Sequence, residues 1–287
     1  MQSEQAAPPL VPPELEAKRQ RLYESLRESG RVLVAYSGGV DSAYLAYAAH
    51  EAIGKQMLAV IADSPSLARV QLRDALAFAE EQQLPLHTIV TDEMQNPDYV
   101  KNDSMRCFHC KDELFTVMER FRDDRGYTTV AYGVNVDDQG DWRPGQQAAK
   151  RHGVSAPLLE AGLTKSDIRA LAVAAGLRVW DKPASACLSS RIEYGRPVTR
   201  EALEQIERGE EILRELGLRQ YRVRHHGDIV RIEIAREELP SVFQMDVFEK
   251  LSREFKALGF KFVTLDMEGF RSGSMNALLS IDTLSSK

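Results

Sequence analysis

Apolar residues recur along the chain in two alternating rhythms, and the alternation indicates the fold class. Leu15, Leu22 and Leu26 stand at helical spacing between Glu14 and Ser29, and Gly30 ends the run. Arg31 to Tyr36 reads as a short buried strand that enters Ser37-Gly38-Gly39-Val40-Asp41-Ser42, after which Ala43 to Ile53 is helical up to Gly54. The same grammar predicts strands over 57–62, 86–90 and 128–132 and helices over 66–83 and 108–122. Thr164 is placed to cap a further helix that runs to about Ala175. Repeated strand–helix units of this kind specify an α/β fold: a doubly wound, mainly parallel sheet covered by helices on both faces.

After Gly195 the pattern changes. A helix over 199–216 precedes two alternating runs, Tyr221 to His225 and Ile229 to Ile234, joined at Gly227-Asp228 as a hairpin. A helix over 247–258 and a strand over 260–265 follow. The organisation expected is a disordered leader over 1–13, an α/β domain over 14–190 and a smaller α+β domain over 191–287.

Composition narrows the class. The 287 residues are 43% hydrophobic and 28% charged, near globular averages, and no stretch approaches the roughly 18 apolar residues of a membrane span. The leader, with Pro8, Pro9, Pro12 and Pro13, has neither a basic start nor an apolar core, so a cytoplasmic location is expected. A net charge of −6 argues against non-specific coating of nucleic acid. Three cysteines are too few for a disulfide scaffold, so each must be core filler, nucleophile or metal ligand.

The sharpest local signal is Ser37-Gly38-Gly39-Val40-Asp41-Ser42 between a strand and a helix. Paired glycines let backbone N–H groups close around an anion, and the helix N-terminus adds a positive dipole end. Two hydroxyls and a carboxylate can hold phosphate and Mg²⁺. Gly54-Lys55 is followed by Gln56 and no G-x-G-x-x-G occurs, so neither a Walker A loop nor a dinucleotide fingerprint is present. The bland alternative is an ordinary tight turn.

The hexapeptide resembles the signature of the PP-loop ATP pyrophosphatases, among them GMP synthetase, asparagine synthetase, NAD synthetase and the tRNA thiolases. The resemblance implies binding of ATP with Mg²⁺ by residues Ser37, Gly38, Gly39, Val40, Asp41 and Ser42, and cleavage between the α and β phosphates. Adenylation makes AMP the leaving group, so a nitrogen or sulfur nucleophile can then attack.

A second signal is Cys107-Phe108-His109-Cys110, with Cys187 far downstream. A C-x-x-C pair opening a helix points both sulfurs at one site, and a helix N-terminus favours thiolates. A structural zinc site would need His109 as a fourth ligand wedged between two others, and a redox disulfide leaves Cys187 unexplained. Three thiolates around an iron–sulfur cluster leave one iron open for sulfide or substrate.

Lys182-Pro-Ala-Ser-Ala-Cys-Leu-Ser-Ser-Arg191 with Tyr194-Gly195 is the third signal. Together with Tyr221-Arg-Val-Arg224, Gly269-Phe-Arg-Ser-Gly273 and Asp141-Trp-Arg-Pro-Gly145, it is similar to the LarE family over about 14–275. That family is implied to be ATP-dependent sulfur transferases acting on the pyridinium carboxylates of the nickel-pincer nucleotide. In members that sacrifice a cysteine, that residue lies five positions before the motif arginine, which is Ala186 here. The resemblance therefore points to the branch in which Cys107, Cys110 and Cys187 are catalytic and hold a 4Fe-4S cluster whose open iron takes up sulfide.

Family position further implies that Ser190, Arg191, Arg222, Arg224, Glu210 and Glu233 bind an anionic, phosphate-bearing mononucleotide, the two glutamates holding a metal ion near it. Without that resemblance the arginines, Arg271 included, are a solvated basic surface and the glutamates are surface carboxylates. Trp142 either stacks on a ligand or anchors its loop. His225 and His226 carry no ligand spacing. The partners expected are a small-molecule nucleotide, a sulfide or other sulfur donor, and a second copy of the chain. Competing readings are a tRNA thiolase, against which the C-terminal region lacks a long basic stripe, and a non-catalytic nucleotide or metal sensor.

Overall fold

The computed structural model describes residues 11–139, 144–183 and 186–271. Two compact units emerge: 1–63, 69–91 and 111–185 form the first, and 64–68, 92–110 and 186–287 the second. The change of unit at 185/186 falls near the sequence-based cut after 190, while the second unit additionally gathers two short upstream segments. A linear reading has no means of assigning such segments, because long-range backbone pairing recruits them. Residues 1–10 of the expected leader, Trp142 and the tail beyond Arg271 lie outside the described residues.

In the first unit, β1 (Val32–Ala35), β2 (Met57–Asp63), β3 (Leu86–Val90) and β4 (Thr129–Tyr132) form a parallel sheet in the order β3-β2-β1-β4. The central strand β1 is buried along its whole length, as its unbroken apolar run requires in a sheet flanked by helices. The helices are α1 (Pro13–Glu28), α2 (Val40–Ile53) and α3 (Arg69–Glu81). α4 (Pro97–Val100) lies in the second unit, α5 (Arg106–Arg125) starts there and runs on into the first, and α6 (Pro144–Arg151), α7 (Pro157–Glu160) and α8 (Lys165–Ala174) follow in the first. Alanines at 43, 46, 48 and 49 are fully buried on α2, and their small side chains allow close packing. Gly133, just past β4, lets α2 pack against this strand end: a Cβ there would stand 2.8 Å from the Ser42 backbone nitrogen.

Strand positions agree with the apolar pattern to within a residue or two. The predicted start of α2 does not. The helix begins at Val40 and not Ala43, because Gly39 supplies the extended backbone before it, so Asp41 and Ser42 lie in its first turn. The short α4, α6 and α7 escape the periodicity reading, which needs longer runs. At α8 the expected Thr164 cap forms as a reciprocal box: the Thr164 side chain accepts from Asp167 N–H, and the Asp167 carboxylate accepts from Thr164 N–H at 3.1 Å.

In the second unit, β5 (Tyr221–His226) and β6 (Ile229–Ile234) pair antiparallel across Gly227-Asp228, and β7 (Phe262–Leu265) pairs parallel to β6. The helices α9 (Arg200–Glu215) and α10 (Met245–Ala257) belong to it. Leu203, Ile206 and Leu213 form the buried stripe of α9. The upstream segment is knitted to the chain after Cys187 by Leu188 N–H to Ser66 O at 2.8 Å, Gly195 N–H to Asn102 O at 3.0 Å and Val198 N–H to Val100 O at 2.9 Å. Asn102, fully buried, adds Nδ2 bonds to Glu193 O and Arg196 O. These bonds bring the C-x-x-C segment and Cys187 into one unit.

Candidate functional site

The glycine turn in the first unit has the tight geometry that an anion cradle requires. Gly38 has φ +71°, and a Cβ on it would lie 2.6 Å from Ala75 Cβ, so the turn passes α3 where only glycine fits. Ser42 Oγ accepts from Ser37 N–H at 3.1 Å, donates to Gly39 O at 3.1 Å and lies 3.0 Å from Ser37 Oγ. The loop is thereby closed on itself before any ligand arrives.

Two lysines converge on this turn. Lys165 Nζ donates to Asp41 Oδ2 at 2.6 Å, and Lys182 Nζ donates to Gly38 O at 3.1 Å. Burial pushes the Asp41 carboxyl above its usual range, against the hydrogen bond and charge of Lys165. Its other oxygen, Oδ1, is buried with no hydrogen-bond partner. An orphaned carboxylate oxygen beside a glycine turn and a helix N-terminus fits a Mg²⁺–phosphate ligand. The six residues read from the motif therefore share one loop, and Lys165 and Lys182 join them from distant sequence.

The second unit holds the cysteines. Cys107 and Cys110 are in the first turns of α5, and Cys187 opens the short 3-10 turn Leu188–Arg191. Arg106 is 3% exposed and donates to Asn102 Oδ1 at 2.5 Å and Ser189 O at 3.0 Å. One of its nitrogens is 4.0 Å from Cys107 Sγ, and its guanidinium lies 5.4 Å from the Tyr194 ring centre. Burial opposes its charge, yet Cys187 and Cys107, then Tyr194 and Tyr99, hold its pKa above the usual guanidinium range.

Burial likewise opposes ionisation of Cys187. Arg106, the Ser189 hydroxyl, Arg191 and the Ser190 backbone N–H outweigh it and bring the thiol below its ordinary range. Burial, followed by Cys187 and Cys110, pushes the Tyr99 phenol well above its usual range. Arg106 thus links the two cysteine segments, 4.0 Å from Cys107 Sγ and bonded to Ser189 O, whose own hydroxyl lies 3.1 Å from Cys187 Sγ. Among the described residues no group of three or more His, Cys, Asp or Glu is gathered to hold a single metal ion. A four-iron cube spreads its thiolates more widely than one ion does, and three thiols in an electropositive setting suit its ligand chemistry.

The predicted substrate residues also collect here. Arg191 is 1% exposed and grips Glu210 through Nε at 2.9 Å and a second nitrogen at 3.3 Å. Its remaining nitrogen donates to Ala186 O at 2.5 Å and Cys187 O at 2.8 Å, so this arginine clamps the cysteine turn. Ser190 Oγ donates to Cys187 O at 2.7 Å. Arg224 donates to Glu233 Oε2 at 2.8 Å and Ser190 O at 3.3 Å, and Arg231 reaches Glu233 Oε1 at 3.1 Å. Arg222 stands opposite Glu233 in the hairpin register, 4.9 Å from the Phe270 ring centre. Its pKa is pushed down to about 10, by burial first and then by Arg191 and Arg224 against Glu210. That surplus of positive charge is the setting an anion relieves.

Sequence reasoning missed Arg106, Tyr99, Asn102, Lys165 and Lys182 as parts of these sites. Only Arg106, beside Cys107, and Lys182, inside a quoted motif, carried a local signal.

Comparison with known proteins gives the family. The NAD synthase family model matches residues 15–108, which include the glycine turn. An uncharacterised protein of Synechocystis sp. is 41% identical over 266 residues, covering 93% of this chain and 99% of the relative. The pyridinium-3,5-bisthiocarboxylic acid mononucleotide synthase of Lactiplantibacillus plantarum is 34% identical over 268 residues, 93% of this chain and 96% of the relative. The chain belongs to the LarE family. LarE proteins fall in the PP-loop class, and a shorter match to GMP synthase of Brucella melitensis, 36% identical over 74 residues, covers 24% of this chain and 15% of that protein. No described helix of this LarE protein is long and apolar enough to cross a membrane.

Proposed function

We propose that this LarE protein is an ATP-dependent sulfur transferase that converts a carboxylate of a pyridinium dicarboxylate mononucleotide into a thiocarboxylate, with sulfide delivered at a 4Fe-4S cluster. A substrate carboxylate oxygen attacks the α-phosphorus of ATP, and the bond to the β-phosphate oxygen breaks. The products of that step are an acyl adenylate and pyrophosphate. Hydrosulfide then attacks the carbonyl carbon, AMP leaves with the former carboxylate oxygen, and the thioacid loses its proton to solvent.

Ser37 to Ser42 would bind the phosphates, Asp41 would help hold Mg²⁺, which would supply charge neutralisation there, and Lys165 and Lys182 would offset the charge that builds on departing pyrophosphate. Arg191 and Ser190 fix the turn that presents Cys187, and Arg222 with Arg224 bind the substrate phosphate near Glu210 and Glu233. Cys107, Cys110 and Cys187 would hold the cluster, which supplies an iron without a protein ligand as a place for sulfide. The free thiols suit the reducing cytoplasm.

The observation that carries this reading is that backbone hydrogen bonds draw Cys107, Cys110 and Cys187 into one compact unit, with Arg106 bonded to Ser189 O two residues from Cys187 and 4.0 Å from Cys107 Sγ. Anaerobically purified protein tests it through its absorption and paramagnetic resonance spectra, with iron and acid-labile sulfide counted per chain. Four irons and four sulfides, lost together in Cys187→Ala, are expected. Wild-type protein that takes up zinc and no iron under reconstitution refutes the cluster.

A further inference from the structure

Three arginines are buried among the described residues, and one of them has no carboxylate. Arg191 grips Glu210 and Arg224 grips Glu233. Arg106, 3% exposed, pairs with no described carboxylate. It donates to two neutral oxygens, Asn102 Oδ1 and Ser189 O, and lies 5.4 Å from the Tyr194 ring centre. A charge out of water is costly to hold unless an opposite charge offsets it, so this guanidinium calls for an anion.

Sulfur is what it meets. One of its nitrogens stands 4.0 Å from Cys107 Sγ, and the hydroxyl of Ser189, whose backbone oxygen it holds, lies 3.1 Å from Cys187 Sγ. Helix α5 begins at Arg106 and has no acidic residue in its first turn. A helix N-terminus is already positive, so an arginine there works against helix stability and adds to the positive potential around Cys107 and Cys110. The nearest acidic residue upstream, Asp103, is turned to Met105 N–H and Lys101.

We propose that Arg106 is a positioning residue for the sulfur centre: it is the counter-ion that holds the negative charge borne there. This rests on the cluster reading above. Three thiolates more than neutralise an oxidised four-iron core, and hydrosulfide adds a further negative charge. A cation fixed in a buried setting stabilises such added charge, whether it is hydrosulfide or, in a redox titration, an electron. Arg106 is held ready for this by Asn102, which is fully buried and anchored in turn on Glu193 O and Arg196 O.

The test uses full-length protein reconstituted anaerobically with iron and sulfide, as wild type, Arg106→Lys and Arg106→Gln. Two quantities are read: the midpoint potential, from a dithionite titration followed by paramagnetic resonance, and the affinity for added hydrosulfide, from a spectral titration. Arg106→Gln removes the charge. It should shift the reduction equilibrium about tenfold toward the oxidised form, a potential about 59 mV lower for one electron, and weaken hydrosulfide binding about tenfold. Arg106→Lys keeps the charge and loses the planar fork, so it should recover most of both.

An unchanged potential in Arg106→Gln overturns the proposal. An equal fall in Arg106→Gln and Arg106→Lys overturns it too, because the effect is then one of shape and not of charge. If Arg106→Gln takes up no iron, Arg106→Lys decides: iron uptake near the wild-type potential supports the counter-ion, whereas a lowered potential or no iron makes Arg106 a structural tie and overturns it. Failure of the cluster reading is distinguishable, because it shows as wild-type protein that takes up no iron, which overturns both before any variant is compared.

Discussion

Replacing Gly38 with alanine tests the anion cradle at its tightest point. At φ +71° an L-residue carries a backbone penalty of about 1–2 kcal/mol. The new Cβ would also meet Ala75 Cβ at 2.6 Å and the Ala75 Cα at 3.3 Å, neither of which is a flexible side-chain end. Overpacking of this kind adds about 1–3 kcal/mol, for a total of about 2–5 kcal/mol. Gly54→Ala is the control: φ is +53° but nothing lies within 4 Å, so the backbone penalty acts alone. Ala75→Gly in the Gly38→Ala background removes the clash and introduces a helix-interior glycine costing about 0.5–1 kcal/mol. Urea unfolding at matched m-values measures all four proteins, and ATP binding by calorimetry reports the loop. Gly38→Ala should cost clearly more than Gly54→Ala and lose ATP affinity. Equal costs for the two, or no relief from Ala75→Gly, would refute the reasoning.

Arg191→Ala should destabilise the protein by about 3–5 kcal/mol, because it strands the Glu210 carboxylate and frees two carbonyls of the Cys187 turn, as thermal and urea unfolding would show. Asp41→Asn should leave the fold intact and slow substrate-dependent pyrophosphate release at least tenfold, with added Mg²⁺ failing to restore it. Arg222→Ala should weaken binding of the mononucleotide about tenfold or more and leave ATP affinity unchanged, since its charge is crowded by Arg191 and Arg224. Asp167 is held below its usual range because bonds from Lys18 and Thr164 outweigh burial. A depressed folded pKa stabilises above the unfolded value, near 3.8, and the contribution is lost as pH falls through the folded one, so Asp167→Asn should flatten the acid limb of the stability profile.

The parallel sheet was legible because each strand is a compact apolar run bounded by glycine or polar residues, as Val32 to Ala35 shows between Gly30 and Ser37. Thr164 was legible as a cap because its partner Asp167 lies three residues on. Interactions that close over long sequence distance left no periodic trace. Lys165 reaches Asp41, and Tyr99 reaches Ser189, through folding alone. Arg191 shows the limit in another way. Its place beside Cys187 was evident, but nothing local indicated that its nitrogens would be engaged by Glu210 and the carbonyls of Ala186 and Cys187.

The most direct test of the account supplies ATP, Mg²⁺, the pyridinium dicarboxylate mononucleotide and excess sulfide to reconstituted protein, then weighs product and protein together. The account predicts more than one thiocarboxylate per chain, one AMP and one pyrophosphate for each, and an unchanged protein mass. A single turnover accompanied by loss of sulfur from Cys187, or formation of ADP and phosphate, would contradict it.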